Sequence, residues 1–180
     1  MKGRGFMGVS VSFEVKNFKA VRFIGKEVVV GEKNPVPELW KEMLSDGTNE
    51  FLQNMPERVS PIGDTIGWMG EYNSQTKEFT YIAGVFTKPN TTVPSGFSYR
   101  DIPDCIMGVG WIQGKTSDLE KGAHGKTEKI MKENGYAPDY SKVAISMEYY
   151  SFDKYINIEE NGENKFAFGY YLPCKKLIKG

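Results

Sequence analysis

The chain has 180 residues, 23 Lys and Arg against 23 Asp and Glu, one His and two Cys. That length suits one domain, and the zero net charge gives no basic footprint for a nucleic-acid backbone or an anionic membrane surface. Hydrophobic residues make up 39% and aromatic residues 13% of the chain, so it should bury a core without disulfide or metal staples.

In chain order, residues 1–10 are glycine-rich and weakly patterned, and they are expected to form an untied N-terminal segment. Strand-like sequence follows from Ser12 to Val30, with Gly25 as a bulge or bend. Pro35 and Pro37 then introduce a helix whose apolar positions are Leu39, Trp40, Met43 and Leu44, then Phe51, Leu52 and Met55. Ser45-Asp46-Gly47 interrupts that spacing, so either the helix breaks there or two short helices meet. A hairpin is expected next: Thr65 to Tyr72, with Ile66, Trp68 and Tyr72 on one face, paired with Glu78 to Thr87.

A loop rich in Pro, Thr, Gly and Ser, Lys88 to Gly96, divides the chain near its middle, and the order then recurs. A strand-like block runs from Phe97 to Ile112. The pattern predicts a helix from Asp118 to Asn134, capped by Ser117 or Thr116 and stopped by Gly135, with an inner stripe of Leu119, Ala123, Thr127, Ile130 and Met131. Strands over Val143 to Phe152 and Asn164 to Pro173 end the pattern, with a turn at Asn161-Gly162. Each half thus reads strand, helix, strand, strand, over about residues 11–88 and 96–176. Neither half buries enough core alone, so the expectation is an α+β fold: two βαββ units in pseudo-twofold arrangement, forming an antiparallel sheet with helices on one face and a ligand cleft at the seam.

Glu148 is the leading candidate for chemistry. Alternation along its strand puts Ala144, Ser146, Glu148 and Tyr150 on one face, with Val143, Ile145, Met147 and Tyr149 on the face expected to meet the helices. Small residues beside a carboxylate and a phenol suit a cavity wall, where partial desolvation would raise the carboxyl pKa. The group could then be a counter-ion for a cation or a general base for water. The bland alternative is a plain solvated sheet face.

The aromatic set comprises Trp40, Trp68, Tyr72, Tyr81, Phe86, Trp111, Tyr149, Tyr150, Phe168 and Tyr170. It must supply core, and it could also wall a cleft for flat or cationic molecules. Trp68 and Trp111 are the chosen walls, because Gly67, Gly70, Gly108 and Gly110 leave space beside them.

Other features exclude rather than assign. Gly108 to Gly114 precedes a helix but lacks the phosphate-loop lysine and the dinucleotide glycine spacing. His124 reads as a surface residue, and no nucleophile-elbow sequence accompanies it. Cys105 and Cys174 have no metal-site spacing, so no metal and no cofactor are implied, and both read as free thiols in a reducing cytoplasm. No leader-like apolar run and no span near 20 apolar residues occurs, so no membrane partner is expected.

The chain resembles the GyrI-like small-molecule-binding domain, also called the AraC-type effector-binding domain. The matching pieces are Val21 to Gly31, Pro37-Glu38-Leu39-Trp40, Thr65-Ile66-Gly67-Trp68, Phe79 to Gly84, Val93 to Gly96 leading to Asp101-Ile102-Pro103, Met147 to Tyr150, and Tyr171 to Lys175. They span about Val11 to Lys176, so residues 11–180 are expected to form one such domain.

The resemblance implies a hydrophobic cleft containing a glutamate, matched to Glu148, that binds cationic or polar groups of drugs. Trp68, Trp111, Phe86, Tyr149 and Tyr150 are the ligand-contact candidates. The leading expectation is a standalone cytoplasmic binder of bulky aromatic or cationic compounds, in drug or toxin binding, resistance or sensing. It would have no direct nucleic-acid contact, and a homodimer is one compatible assembly. The first alternative is a hydrolase of cyclopropanoid DNA-alkylating antibiotics, with Glu148 activating water and Tyr150 assisting. The second is a protein-interaction module of the gyrase-inhibitory type. Whether Tyr149 or Tyr150 faces the cleft stays open.

Overall fold

The structure, a computed structural model, describes residues 9–115, 121–154, 158–160 and 163–178. The expected N-terminal segment, the Thr116 or Ser117 cap, Leu119 and the Asn161-Gly162 turn lie largely or wholly outside them. Ten strands and three helices are defined here. In order they are β1 (Ser10–Phe18), β2 (Val21–Val30), α1 (Val36–Ser45), α2 (Thr48–Gln53), β3 (Thr65–Asn73), β4 (Glu78–Thr87) and β5 (Ser98–Ile102), then β6 (Cys105–Gly114), α3 (Ala123–Glu133), β7 (Tyr136–Pro138), β8 (Ile145–Tyr150), β9 (Ile158–Glu160) and β10 (Glu163–Lys176).

The main sheet runs β1-β6-β10-β8-β3-β4-β2-β5, and β7 and β9 add to β10. Every pairing is antiparallel. The order is a palindrome about the β8–β3 pair. β2-α1-β3-β4 builds one side and β6-α3-β8-β10 the other, as the repeat in the sequence predicts. β1 and β5 are exchanged: each leads one half but pairs in the other.

That exchange splits two blocks that read as continuous in sequence. The first breaks at Lys19-Ala20 and the second at Pro103-Asp104. Phe18 is in register with Cys105, and Val21 with Ile102. The two links are joined where the Ala20 N–H donates to Asp104 Oδ1 at 2.6 Å.

The links also set the curvature. In a flat sheet, the six strand spacings from β1 to β2 would separate them by about 29 Å. Three residue steps reach about 11 Å. The sheet must therefore curl and enclose one of its own faces. Gly25 and Gly84, facing partners in β2 and β4, assist it: a Cβ on Gly25 would stand 2.0 Å from the Ala83 carbonyl oxygen. Gly25 is thus a site of close backbone approach in unbroken register, not a bulge.

The enclosed face carries Phe23, Ile66, Trp68, Ile82, Met147 and Tyr171 in one buried cluster. The outer face carries the helices. α1 and α2 cover Ile24, Tyr81, Ala83 and Val85, and α3 covers Ile112, Phe168, Tyr170 and Leu172. Gly47, at φ 84°, separates α1 from α2, so the interrupted apolar spacing is two short helices. Asn134 and Gly135, the latter at φ 80°, stop α3 as expected. Tyr72 leaves the face of Ile66 and Trp68, because the register shifts after Gly70 and Glu71 turns to φ 58° to meet Arg100.

Candidate functional site

Glu148 sits on β8 at the seam. Its register partners are Gly67 on β3 and Tyr170 on β10. All three lie on the outer face, where the helices leave a gap between α1 and α3. Ala144, Ser146, Glu148 and Tyr150 therefore line a cleft, as their alternation predicts.

The helix assignment was inverted, and with it four wall residues. Ile145, Met147 and Tyr149 pack into the enclosed face, away from α1 and α3. Trp68, Trp111 and Phe86 are in the same cluster. So Trp68, Trp111, Phe86 and Tyr149 do not stand beside Glu148. Alternation marked an apolar face correctly, but that face is covered by the curled sheet instead of by helices.

The glycines beside the tryptophans do not leave open space either. A Cβ on Gly70 would come 2.5 Å from the Trp68 ring, one on Gly67 2.0 Å from the Tyr81 hydroxyl, one on Gly108 2.7 Å from Met131, and one on Gly110 2.4 Å from Thr127. Only at Gly70 does the tryptophan ring itself fill the room; at the other three, other side chains do. Trp111 is anchored at the β1 edge, where its Nε1–H donates to Glu14 Oε1 at 2.7 Å. Lys154 lies 4.0 Å over its ring. Tyr149 donates to the buried Asp64 carboxylate and stacks on Tyr171 at 5.2 Å. Burial is the main reason that its phenol pKa lies far above the ordinary value.

Of Tyr149 and Tyr150, it is Tyr150 that faces the cleft. Its hydroxyl lies 3.4 Å from Glu148 Oε2, and its ring stacks on Phe168 at 5.5 Å. Tyr81 reaches the same carboxylate oxygen at 3.3 Å from β4. It passes over Gly67, where a Cβ would stand 2.0 Å from the Tyr81 hydroxyl oxygen. Trp40 on α1 donates through Nε1 to that hydroxyl at 3.0 Å. A relay thus runs from Trp40 through Tyr81 to the carboxylate, which fixes its rotamer and points it at the cleft.

The cleft has two lobes that share Met69 and Phe79. The first, about 530 Å³, lies along α1 and is lined by Trp40, Leu44, Tyr81, Glu148 and Tyr150. The second, about 750 Å³, lies along α3 and is lined by Tyr72, His124, Glu128, Tyr140, Ser146 and Tyr170. No lysine or arginine is among the described residues lining either lobe. Burial first, and Glu148 nearby, push the Tyr170 phenol up to about 12, so it stays a neutral donor, to Ser146 Oγ at 3.2 Å.

A profile of the GyrI-like small molecule binding domain matches residues 12–175. The chain belongs to this family. The GyrI-like fold recurs in solved structures. SAV2435, solved bound to tetraphenylphosphonium, aligns at TM-score 0.64 and 12% identity, over 91% of this chain and 94% of that one. A transcription regulation protein from Staphylococcus aureus MU50, described as putative, aligns at 0.60 and 11%, over 91% and 98%. The EcmrR C-terminal domain aligns at 0.52 and 12%, over 94% and 99%. At these identities the likeness is one of fold. A search of curated protein sequences returns no match.

Among the described residues, no group of three or more His, Cys, Asp or Glu is placed to hold a metal ion. No helix among them is long and apolar enough to cross a membrane. Sequence reasoning placed Trp40 in the helix stripe and gave Tyr81 no role at Glu148. The registers of β4 on β3 and of β3 on β8 were the missing signal.

Proposed function

We propose that this GyrI-like domain binds bulky aromatic cations in its outer-face cleft, with Glu148 as counter-ion. The observation that carries the reading is the setting of Glu148. Its carboxylate is held by two phenols in a cleft lined by aromatic side chains and, among the described residues, by no lysine or arginine. A carboxylate and ring faces in a partly dry cleft favour a soft, weakly hydrated cation over a small hydrated one. The tetraphenylphosphonium bound by SAV2435, which shares the fold, is a molecule of that class.

Tetraphenylphosphonium is the first probe. Titration should quench tryptophan fluorescence saturably, and Glu148→Gln should weaken binding about tenfold, the loss of one partly desolvated cation contact. No saturable change up to millimolar probe would end the reading. Turnover of a cyclopropanoid, with Glu148→Gln losing rate while keeping affinity, would move it to hydrolysis.

A further inference from the structure

We propose that the cleft takes elongated dicationic aromatic molecules, with one cationic head at Glu148 and the second at Glu128 in the other lobe. The proposal rests on the reading of Glu148 as a counter-ion and extends it along the cleft. A compact monocation at Glu148 uses the lobe along α1 and leaves the larger lobe along α3 without a role.

That second lobe repeats the chemistry of the first. Tyr72, Tyr140 and Tyr170 line it, and it holds two carboxylates, Glu71 and Glu128. The Glu71 carboxylate is spent: Arg100 grips it through Nε at 2.6 Å and Nη2 at 2.8 Å, and its pKa is held below the ordinary value for that reason. Glu128 instead meets an imidazole, with His124 Nε2 at 3.3 Å from Oε1. That single contact through Oε1 orients the carboxylate, whereas Arg100 engages both oxygens of Glu71. The side chain of Glu128 is one-third exposed, which puts it at the lip, where a cationic head can keep part of its hydration.

The two carboxylates are joined through one ring. Tyr170 is the cross-strand partner of Glu148, and its ring meets the His124 ring at 5.8 Å. Met69 and Phe79 line both lobes. An aromatic spacer running past these two side chains would carry a charged head into each lobe.

Two bis-cations are the probes: para-xylylene-bis(trimethylammonium) and its biphenyl homologue. Each is compared with a monocation in which one trimethylammonium head is replaced by tert-butyl, its neutral isostere. Calorimetry on the wild-type chain should give about tenfold tighter binding of a bis-cation than of its isostere, one further cation contact at a partly exposed site. Glu128→Gln should abolish that ratio while leaving isostere affinity within about twofold. His124→Lys, which sets a fixed positive charge against Glu128, should abolish it too. Glu148→Gln should weaken all four probes. Equal binding of both bis-cations and their isosteres by the wild-type chain would overturn the second site while leaving Glu148 in its role. Binding of none of the four, with tetraphenylphosphonium also unbound, would overturn the underlying reading.

Discussion

The hydroxyl of Tyr81 occupies the space in which a side chain at position 67 would begin. Gly67 is the register partner of Glu148, so the one position without a Cβ lies between the phenol and the carboxylate it reaches. Gly67→Ala would force the buried Tyr81 ring aside and break its contacts to both Trp40 and Glu148. The expected cost is about 1–3 kcal/mol from overpacking, read as a lower denaturation midpoint. Tetraphenylphosphonium affinity should fall as well. Tyr81→Phe keeps the ring and removes only the hydroxyl, so its expected cost is smaller, about 1 kcal/mol, with Trp40 Nε1 left without its acceptor. Equal effects of the two variants would contradict this account.

The three tryptophans divide between the two faces, and this gives a spectroscopic prediction. Trp40 lines the cleft, whereas Trp68 and Trp111 are in the enclosed cluster. Ligand quenching should therefore vanish in Trp40→Phe and persist in Trp68→Phe and Trp111→Phe. Quenching that survives in Trp40→Phe and disappears in Trp111→Phe would put the ligand on the other side of the sheet.

Three buried phenols give a pH dependence. Burial raises the pKa of Tyr149, Tyr170 and Tyr171 above 10, that of Tyr170 to about 12. The unfolded chain therefore loses these protons first as pH rises. Between the unfolded and folded pKa values the native state binds more protons, so stability falls with increasing pH. It is fully present below the unfolded value near about 10 and declines above it. Ultraviolet titration read beside circular dichroism checks this. These three should ionise only with loss of the folded circular-dichroism signal. Smooth ionisation of all ten tyrosines in the folded chain would contradict their burial.

Glu148 and Tyr150 were legible because a strand alternates with a fixed period of two, and a small-residue, carboxylate and phenol face needs no partner to be recognised. The repeat of strand, helix, strand, strand was legible for the same local reason. What covers each face was not. That depends on the two-residue links at Ala20 and Asp104, which curl an eight-strand order through contacts distant in sequence. Trp68 and Trp111 were misplaced because a glycine beside a ring signals room, and only the folded chain says which side chain fills it. Glu128 and His124 were passed over because a helix lip becomes a cavity wall only once α3 has docked on β6 and β10.

That docking depends on curvature, and the Gly25–Gly84 pair tests it. A Cβ on Gly84 would stand 2.1 Å from the Ile24 carbonyl oxygen, and one on Gly25 would meet Ala83 as closely. Neither obstacle is a flexible side chain, so relief requires the strands to shift. Gly84→Ala should then flatten the sheet locally, pulling β2 and β5 outward and straining the links to β1 and β6. The expected loss is about 1–3 kcal/mol, together with faster amide exchange on β1 and β5, the two exchanged strands. If the pair mattered only for local packing, exchange would rise on β2 and β4 alone. Exchange rising at both flanks of the sheet is the signature of a curl that the two links enforce.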